Sequence, residues 1–543
     1  MGDVTEIADR YIADLFRLHP VRATRGGADL TTTELTDYSP EGQQAFADLY
    51  RRTIADLEAA TPEDEAERLG RTFLLDQVRG VQALHDAREY ERELSVLAAP
   101  PSSVRAVFDL MPTANADDWG RVAERLDNVA ACLDSYRQSL EAGIRNDRVA
   151  SERQALAVAR QCRTWADGWF RDHVATYGDG PLRPSLDRAA DSACTAYGEL
   201  ADWLLSAYVE HATDVDGVGE ERYAVSQRAM LGASFDLDET YAWGWDELAR
   251  LQAEQRAECE RIVPGASFGE VRDLLTTDPE RAVHGVEEYR AWLQEISDDA
   301  TRRLNGTHFD IPDELLRCDI CIPPVGSAAA PYYSGPSEDL SQPGRTWFPI
   351  TPPDRTMFPT WDQVTIAYHE AVPGHHLQVG MTRVLPLIRA HRMSFHSAHG
   401  EGWALYAERL ADELGFFDTP ETRLGFVSSQ AFRAVRVVID IGLHTGRTLP
   451  DGSPWTYERA VEELMAASGY GREFCESEIL RYLSWPAQAT TYKLGERSWL
   501  AGRSAAQARL GSSFDLRRWH ADALALGALG LGDLEGELTA AGG

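Results

Sequence analysis

Positive charge is what this 543-residue chain has least of: 53 Lys and Arg stand against 87 Asp and Glu, a net charge of −34. With no basic stripe to replace phosphate counterions, nucleic acid is excluded as an expected partner, and so is an anionic membrane surface. The acidity reads instead as a well-solvated surface. Long apolar runs are missing, so no bilayer-spanning segment is expected. The opening "MGDVTEIADRYIADLFRLHP" does not read as a signal peptide, because acidic residues interrupt every apolar run, and a cytoplasmic protein is expected. Cysteines are few, odd in number and scattered, so reduced buried thiols are expected and not a disulfide framework. "CDIC" (Cys318 to Cys321) has the spacing of half a zinc ribbon, but its second half is missing and its alternating apolar surroundings predict a strand. Low-complexity tracts and fixed-period repeats are also lacking, which leaves a globular protein with a large core and no regular solenoid.

What is present is helical periodicity. Val4, Ile7, Ala8, Tyr11, Ile12, Leu15 and Phe16 mark the buried stripe of a first amphipathic helix, with Asp3 and Glu6 as its capping box. Successive helices follow to about residue 310, broken at "LAAPPSS", "TYGDGPLRPS" and "TDVDGVGEE". From 311 to 360 the chain is rich in Pro, Gly and aromatics, which predicts a few short strands joined by ordered loops. Helical patterning resumes at Thr360, with Gln363 completing a second capping box. The expected fold is mainly α: a large, multi-helix, two-lobed architecture with a small β-sheet beside a metal-binding helix and a central cleft. The predicted division puts one wall of the cleft in residues 1–310 and the metal-binding region in 311–543, with one integrated fold as the alternative.

The metal-binding segment is "YHEAVPGHHLQ", residues 368 to 378. Two histidines four apart on a helix, separated by about 40° and 6 Å, can share one zinc ion. His369 and His375 are six apart, which on a regular helix means about 240° and 9 Å and forbids sharing. Pro373 and Gly374 remove the objection, because proline breaks the hydrogen-bond ladder and glycine opens backbone angles closed to other residues. A two-residue bulge makes His375 the second ligand and leaves His376 to bond a carboxylate or solvent; a three-residue bulge would select His376. "SAHGEGWALYAERL" offers Glu401 as third ligand, and Glu408, seven residues on, to hold a ligand histidine from behind. Glu370 beside the first ligand is the expected general base. The plainer alternatives are a chance histidine string and a Glu401 that only caps a helix. His391, His396 and His399 are expected at the surface or behind the ligands.

These residues lie in segments that resemble the domain of unknown function 885 family of bacterial proteins. The resemblance rests on "YHEAVPGHHLQ", "HGEGWALYAE", "DIGLHTGR" (Asp440 to Arg447), "EILRYLSWPAQATTYKLGE" (Glu478 to Glu496) and the upstream "PYYSGPSEDLSQPGRTWF". That family is in turn similar to gluzincin peptidases, large helical members of which resemble thimet oligopeptidase. The resemblance implies His369, His375 and Glu401 as ligands of one zinc ion per chain, Glu370 as base, and Tyr482 or Tyr492 as donor to the oxyanion. Arg433, Arg436, Arg481 and Lys493 are candidates for a substrate carboxylate, with Arg481 first because it neighbours Tyr482 in a matched block. "RTWFPI" is a candidate strand edge for an extended substrate. The expected activity is zinc-dependent hydrolysis of amide bonds in oligopeptides. Two alternatives keep the site but change its use: a hydrolase or lyase tailoring a modified amino acid or small metabolite, and a degenerate peptidase that grips peptides without cutting them.

Overall fold

The computed structural model describes residues 2–97, 99–324 and 330–543. It is 68% helix and 4% strand, so the mainly α expectation holds. Among the described residues, no helix is long and apolar enough to cross a membrane.

The first helix, Asp3–Leu18, buries Val4, Ile7, Ala8, Tyr11 and Leu15 as its periodicity predicts. Its capping box does not form. Asp3 lies inside the helix, Gly2 occupies the cap position, and no side chain of the segment caps it. The carboxylate of Glu67, from the helix Glu65–Asp86, does the work: it accepts from the Thr5 amide at 3.1 Å and the Thr5 hydroxyl at 2.7 Å. The Thr360–Gln363 box is likewise absent. The Thr360 hydroxyl donates to the Arg281 carbonyl, while Gln363 accepts from the Tyr289 hydroxyl at 2.5 Å.

Two large apolar cores organise the helices. One is built from residues between Val21 and Tyr208, and the other collects residues from Val4 to Ala541. The division expected at residue 310 cuts through this second core, where Leu248, Leu251, Ala300 and Leu304 pack with Val427, Val435 and Val438. Between the two cores lies a cavity of about 370 Å³, lined among others by Tyr50, Glu93, Arg222 and the turn Leu483–Pro486. None of the metal-binding candidates lines it.

The strands are few and short, as expected, and form two small sheets. Ala282–His284 pairs antiparallel with Met357–Pro359. Gly344–Trp347 runs in the middle of the second sheet, parallel to Cys318–Cys321 and antiparallel to Tyr332–Ser334. "CDIC" is therefore a strand, with Cys318 facing inward near the Thr346 hydroxyl. The edge expected at "RTWFPI" is not free, because Arg345, Thr346 and Trp347 already have neighbours on both sides. All seven cysteines are unpaired.

Candidate metal centre

The helix Gln363–Glu370 stops at the residue expected to be the base. Ala371 still donates to the Ala367 carbonyl at 2.9 Å, but its backbone then leaves the helical region. Pro373 has no N–H to continue the ladder, and the peptide bond before it is cis. The helix restarts as His375–Val384, tied back by the His376 amide to the Ala371 carbonyl at 3.2 Å. Gly374 is required here by space: a Cβ would stand 1.9 Å from the carbonyl oxygen of His369. The indole of Trp403 pins the bulge from the facing helix, donating to the carbonyls of Pro373 at 2.9 Å and Gly374 at 3.1 Å.

The bulge brings the histidines together. The rings of His369 and His375 have centroids 4.8 Å apart and stand nearly perpendicular. The Nε2 atom of each lies 3.5 Å from the same carboxylate oxygen, Oε2 of Glu401. Ligands about 2.0–2.1 Å from a tetrahedral zinc are separated by about 3.4 Å, and these two distances match that spacing. A carboxylate oxygen of Glu370 lies within 4.8 Å of a nitrogen of each histidine. Glu370 is buried, and its carboxylate accepts no hydrogen bond from the described residues. Glu401 is the fifth residue of the helix Ser397–Glu413, past its first turn, so helix capping does not account for it.

The histidines and carboxylates set one another's charge. Nδ1 of His369 bonds Oε1 of Glu408 at 2.8 Å, and its Nε2 faces Glu401. Burial works to lower the His369 pKa, but Glu401, Glu408 and Glu370 together outweigh it and raise it to about 9. Burial would raise Glu401, yet its bonds to His369 and His375 hold it far below the usual carboxylate range. The imidazoles and carboxylates of this buried site therefore hold one another's charge.

Behind His369 the support runs deeper than the sequence suggested. Nε2 of Gln430 donates to the other oxygen of Glu408 at 2.8 Å, and Oε1 of Gln430 accepts from Lys493 at 2.8 Å. Lys493 is fully buried and also bonds Glu247 at 2.9 Å and Glu496 at 2.5 Å. It is not placed to bind substrate; it anchors the chain of bonds that ends on His369. Gln430 went unread, although polar residues at 430, 433 and 436 within the apolar helix Pro420–Thr445 are a visible signal.

Three further candidates are occupied by Glu478. Arg481 grips it with two nitrogens, at 3.0 and 2.9 Å, and the Tyr482 hydroxyl donates to it at 2.8 Å. Arg436 donates to the same carboxylate at 2.8 Å. Neither Arg481 as a carboxylate receptor nor Tyr482 as an oxyanion donor is therefore free. Tyr492 is: its hydroxyl has no hydrogen-bond partner among the described residues, and burial followed by the nearby Glu401 charge raises its pKa. Its position comes from two glycines. A Cβ on Gly402 would lie 2.4 Å from the backbone of Gly495, and one on Gly495 would lie 2.1 Å from the carbonyl of Ala398. The helices Ser397–Glu413 and Thr491–Leu510 thus meet backbone to backbone, with Tyr492 one turn from the contact and Glu401 beside it.

The remaining histidines are structural. His376 bonds the Leu315 carbonyl at 2.9 Å and the Tyr333 hydroxyl at 3.0 Å, in place of the expected carboxylate or solvent, and burial lowers its pKa to about 4. It fastens the second histidine helix to the three-stranded sheet. His391, His396 and His399 are buried, contrary to the surface expectation. His391 stacks on Phe73 and bonds the Ala528 carbonyl, and His399 accepts from the Leu529 amide.

This arrangement occurs in a chain that matches a bacterial family of unknown function, DUF885, over residues 20–538. The protein belongs to that family. Among solved structures it resembles a candidate lipoprotein from Colwellia psychrerythraea, with 22% identity, a TM-score of 0.85, and 99% of this chain and 98% of that one covered. A candidate lipoprotein of unknown function from Shewanella oneidensis aligns at 18% identity and TM-score 0.76, with 99% of each chain covered. At these identities the likeness shows the fold alone. No curated protein matches.

Proposed function

We propose that this protein is a zinc-dependent hydrolase that cleaves amide bonds in peptides. One observation carries the reading: Nε2 of His369 and Nε2 of His375 converge on one oxygen of Glu401, with the unpaired carboxylate of Glu370 beside them. His369, His375 and Glu401 would hold one zinc ion and leave a fourth position open. Zinc, when bound, supplies Lewis acidity toward a substrate carbonyl and makes water acidic enough to attack at neutral pH.

The chain's own groups carry the proton and the charge. Glu370 takes the proton of the attacking water and passes it to the leaving amine. The Tyr492 hydroxyl donates to the carbonyl oxygen as negative charge develops there. Glu408, held by Gln430, keeps His369 in the tautomer that presents Nε2. The unpaired Glu370 favours an enzyme over a peptide-gripping protein, since a binder gains nothing from a base at that place.

The test is digestion of a peptide library by zinc-loaded protein, run beside panels of small amides and esters with the Glu370→Gln variant as control. Peptide cleavage that Glu370→Gln loses supports the reading. Turnover confined to small amides or esters would replace it with a tailoring reaction.

The cytoplasm is the compartment we propose, in keeping with seven unpaired cysteines. The solved relatives are candidate lipoproteins, which points to the envelope for those proteins. Fractionation with an antibody against this chain decides the matter.

A further inference from the structure

Four basic residues were candidates for a substrate carboxylate, and three of them are occupied: Arg481 and Arg436 by Glu478, Lys493 by Glu247 and Glu496. Arg433 is not. In a chain with 87 acidic residues, it makes no ion pair among the described residues. Its hydrogen bonds go to its own helix, from Nη1 to the carbonyl of Ser429 at 3.3 Å and to the Ser429 hydroxyl at 2.5 Å. Its Nε is buried without an acceptor. A guanidinium left with unused donors in a half-buried position calls for an anion.

Its position points to which anion. Gln430 and Arg436, three residues to either side, touch consecutive residues of the neighbouring helix. Gln430 accepts from Lys493 at 2.8 Å, and the Arg436 guanidinium stands 4.8 Å from the centre of the Tyr492 ring. Arg433 lies between them in the same helix, one turn from each.

Beside Arg433 stands an aromatic wall. Its guanidinium lies 5.4 Å from the Phe432 ring, which packs on Tyr470 at 5.1 Å and Phe474 at 6.0 Å. Tyr470 and Phe474 remain 36% and 39% exposed, enough to receive an apolar group.

We propose that Arg433 receives the free α-carboxylate of a peptide substrate and that Tyr470 and Phe474 receive its C-terminal side chain. The substrate class is then short peptides with a free C-terminus and an apolar or aromatic last residue. This deepens the peptidase reading and rests on it. In the reaction the amide C–N bond breaks. The acyl carbon gains the oxygen of water, the amine nitrogen gains the proton carried by Glu370, and the amine departs on the fragment held by Arg433. The middle of a long chain offers no carboxylate there and would cover the guanidinium without a partner, which costs binding.

The test uses zinc-loaded Glu370→Gln protein, which is to bind without cutting, and calorimetry with a nested series of N-acetylated peptides ending in phenylalanine. Each peptide is used as free acid and as C-terminal amide. The free acid should bind about 100-fold more tightly, the scale of a charge-assisted pair removed from water. Adding Arg433→Gln should abolish the difference by weakening acid binding far more than amide binding, and Arg433→Lys should restore part of it. Melting curves check that both variants fold, and the lysine variant serves if the glutamine variant does not. Equal binding of acid and amide by Glu370→Gln, or an unchanged ratio on adding Arg433→Gln, overturns the proposal. Wild-type protein that binds acids through Arg433 yet cleaves no peptide would keep the anchor and sink the peptidase reading. Equal cleavage of acids and amides would do the reverse.

Discussion

His369 and His375 are six residues apart, yet each presents Nε2 at 3.5 Å from the same oxygen of Glu401. A regular helix would set them about 240° and 9 Å apart. The detour through Val372, Pro373 and Gly374 removes the surplus, and its cost in backbone bonds is met by Trp403.

Gly374 should therefore tolerate no side chain. In Gly374→Ala the added methyl would meet the His369 carbonyl at 1.9 Å, so the bulge must open and the histidines part. We expect the variant to fold with a lowered melting temperature, by an overpacking cost of about 1–3 kcal/mol, and to lose zinc affinity. Unchanged zinc binding by titration would show that the bulge does not set the ligand geometry.

Glu370→Gln should separate metal from chemistry. The amide is nearly isosteric and cannot take a proton, so zinc content should stay at the wild-type level while turnover falls by about 100-fold or more. Wild-type rates in this variant would assign the base elsewhere.

The two tyrosines should differ in kind. Tyr492→Phe should lower kcat by about 100-fold with KM little changed, because an oxyanion donor acts in the transition state. Tyr482→Phe should instead cost about 1–3 kcal/mol of stability, since the half-buried Glu478 loses one of its donors. Kinetics and thermal melts on both variants check the assignment, and an effect on turnover from Tyr482→Phe alone would reverse it.

Support behind His369 should be measurable as metal affinity. Glu408→Gln and Gln430→Leu should each weaken zinc binding by about 10–100-fold without removing a ligand. Affinities within twofold of wild type, by competition with a chelator, would make the Lys493–Gln430–Glu408 chain a packing feature only.

The meeting of His369, His375 and Glu401 was legible in the sequence because they sit in two short segments whose odd spacing has a local cause. So was the first helix, whose buried stripe follows from periodicity alone. Partners drawn from distant segments were not. Glu67, 62 residues from Thr5, replaces the capping box. Glu247, far up the chain, takes Lys493 out of contention. Glu478 was nearer, but helical spacing alone does not show that one carboxylate collects Arg436, Arg481 and Tyr482. His391 and His399 were expected at the surface or behind the ligands because polar type predicts exposure, whereas each takes a backbone partner in the core, at 2.7 and 3.2 Å.

Elemental analysis of the purified protein beside its Glu401→Ala and Glu370→Gln variants tests the central claim most directly. A site of two histidines and one glutamate predicts about one zinc per chain in the wild type and in Glu370→Gln, and a small fraction of that in Glu401→Ala, with all three folded by circular dichroism. Full zinc in Glu401→Ala, or none in the wild type after reconstitution, would contradict it.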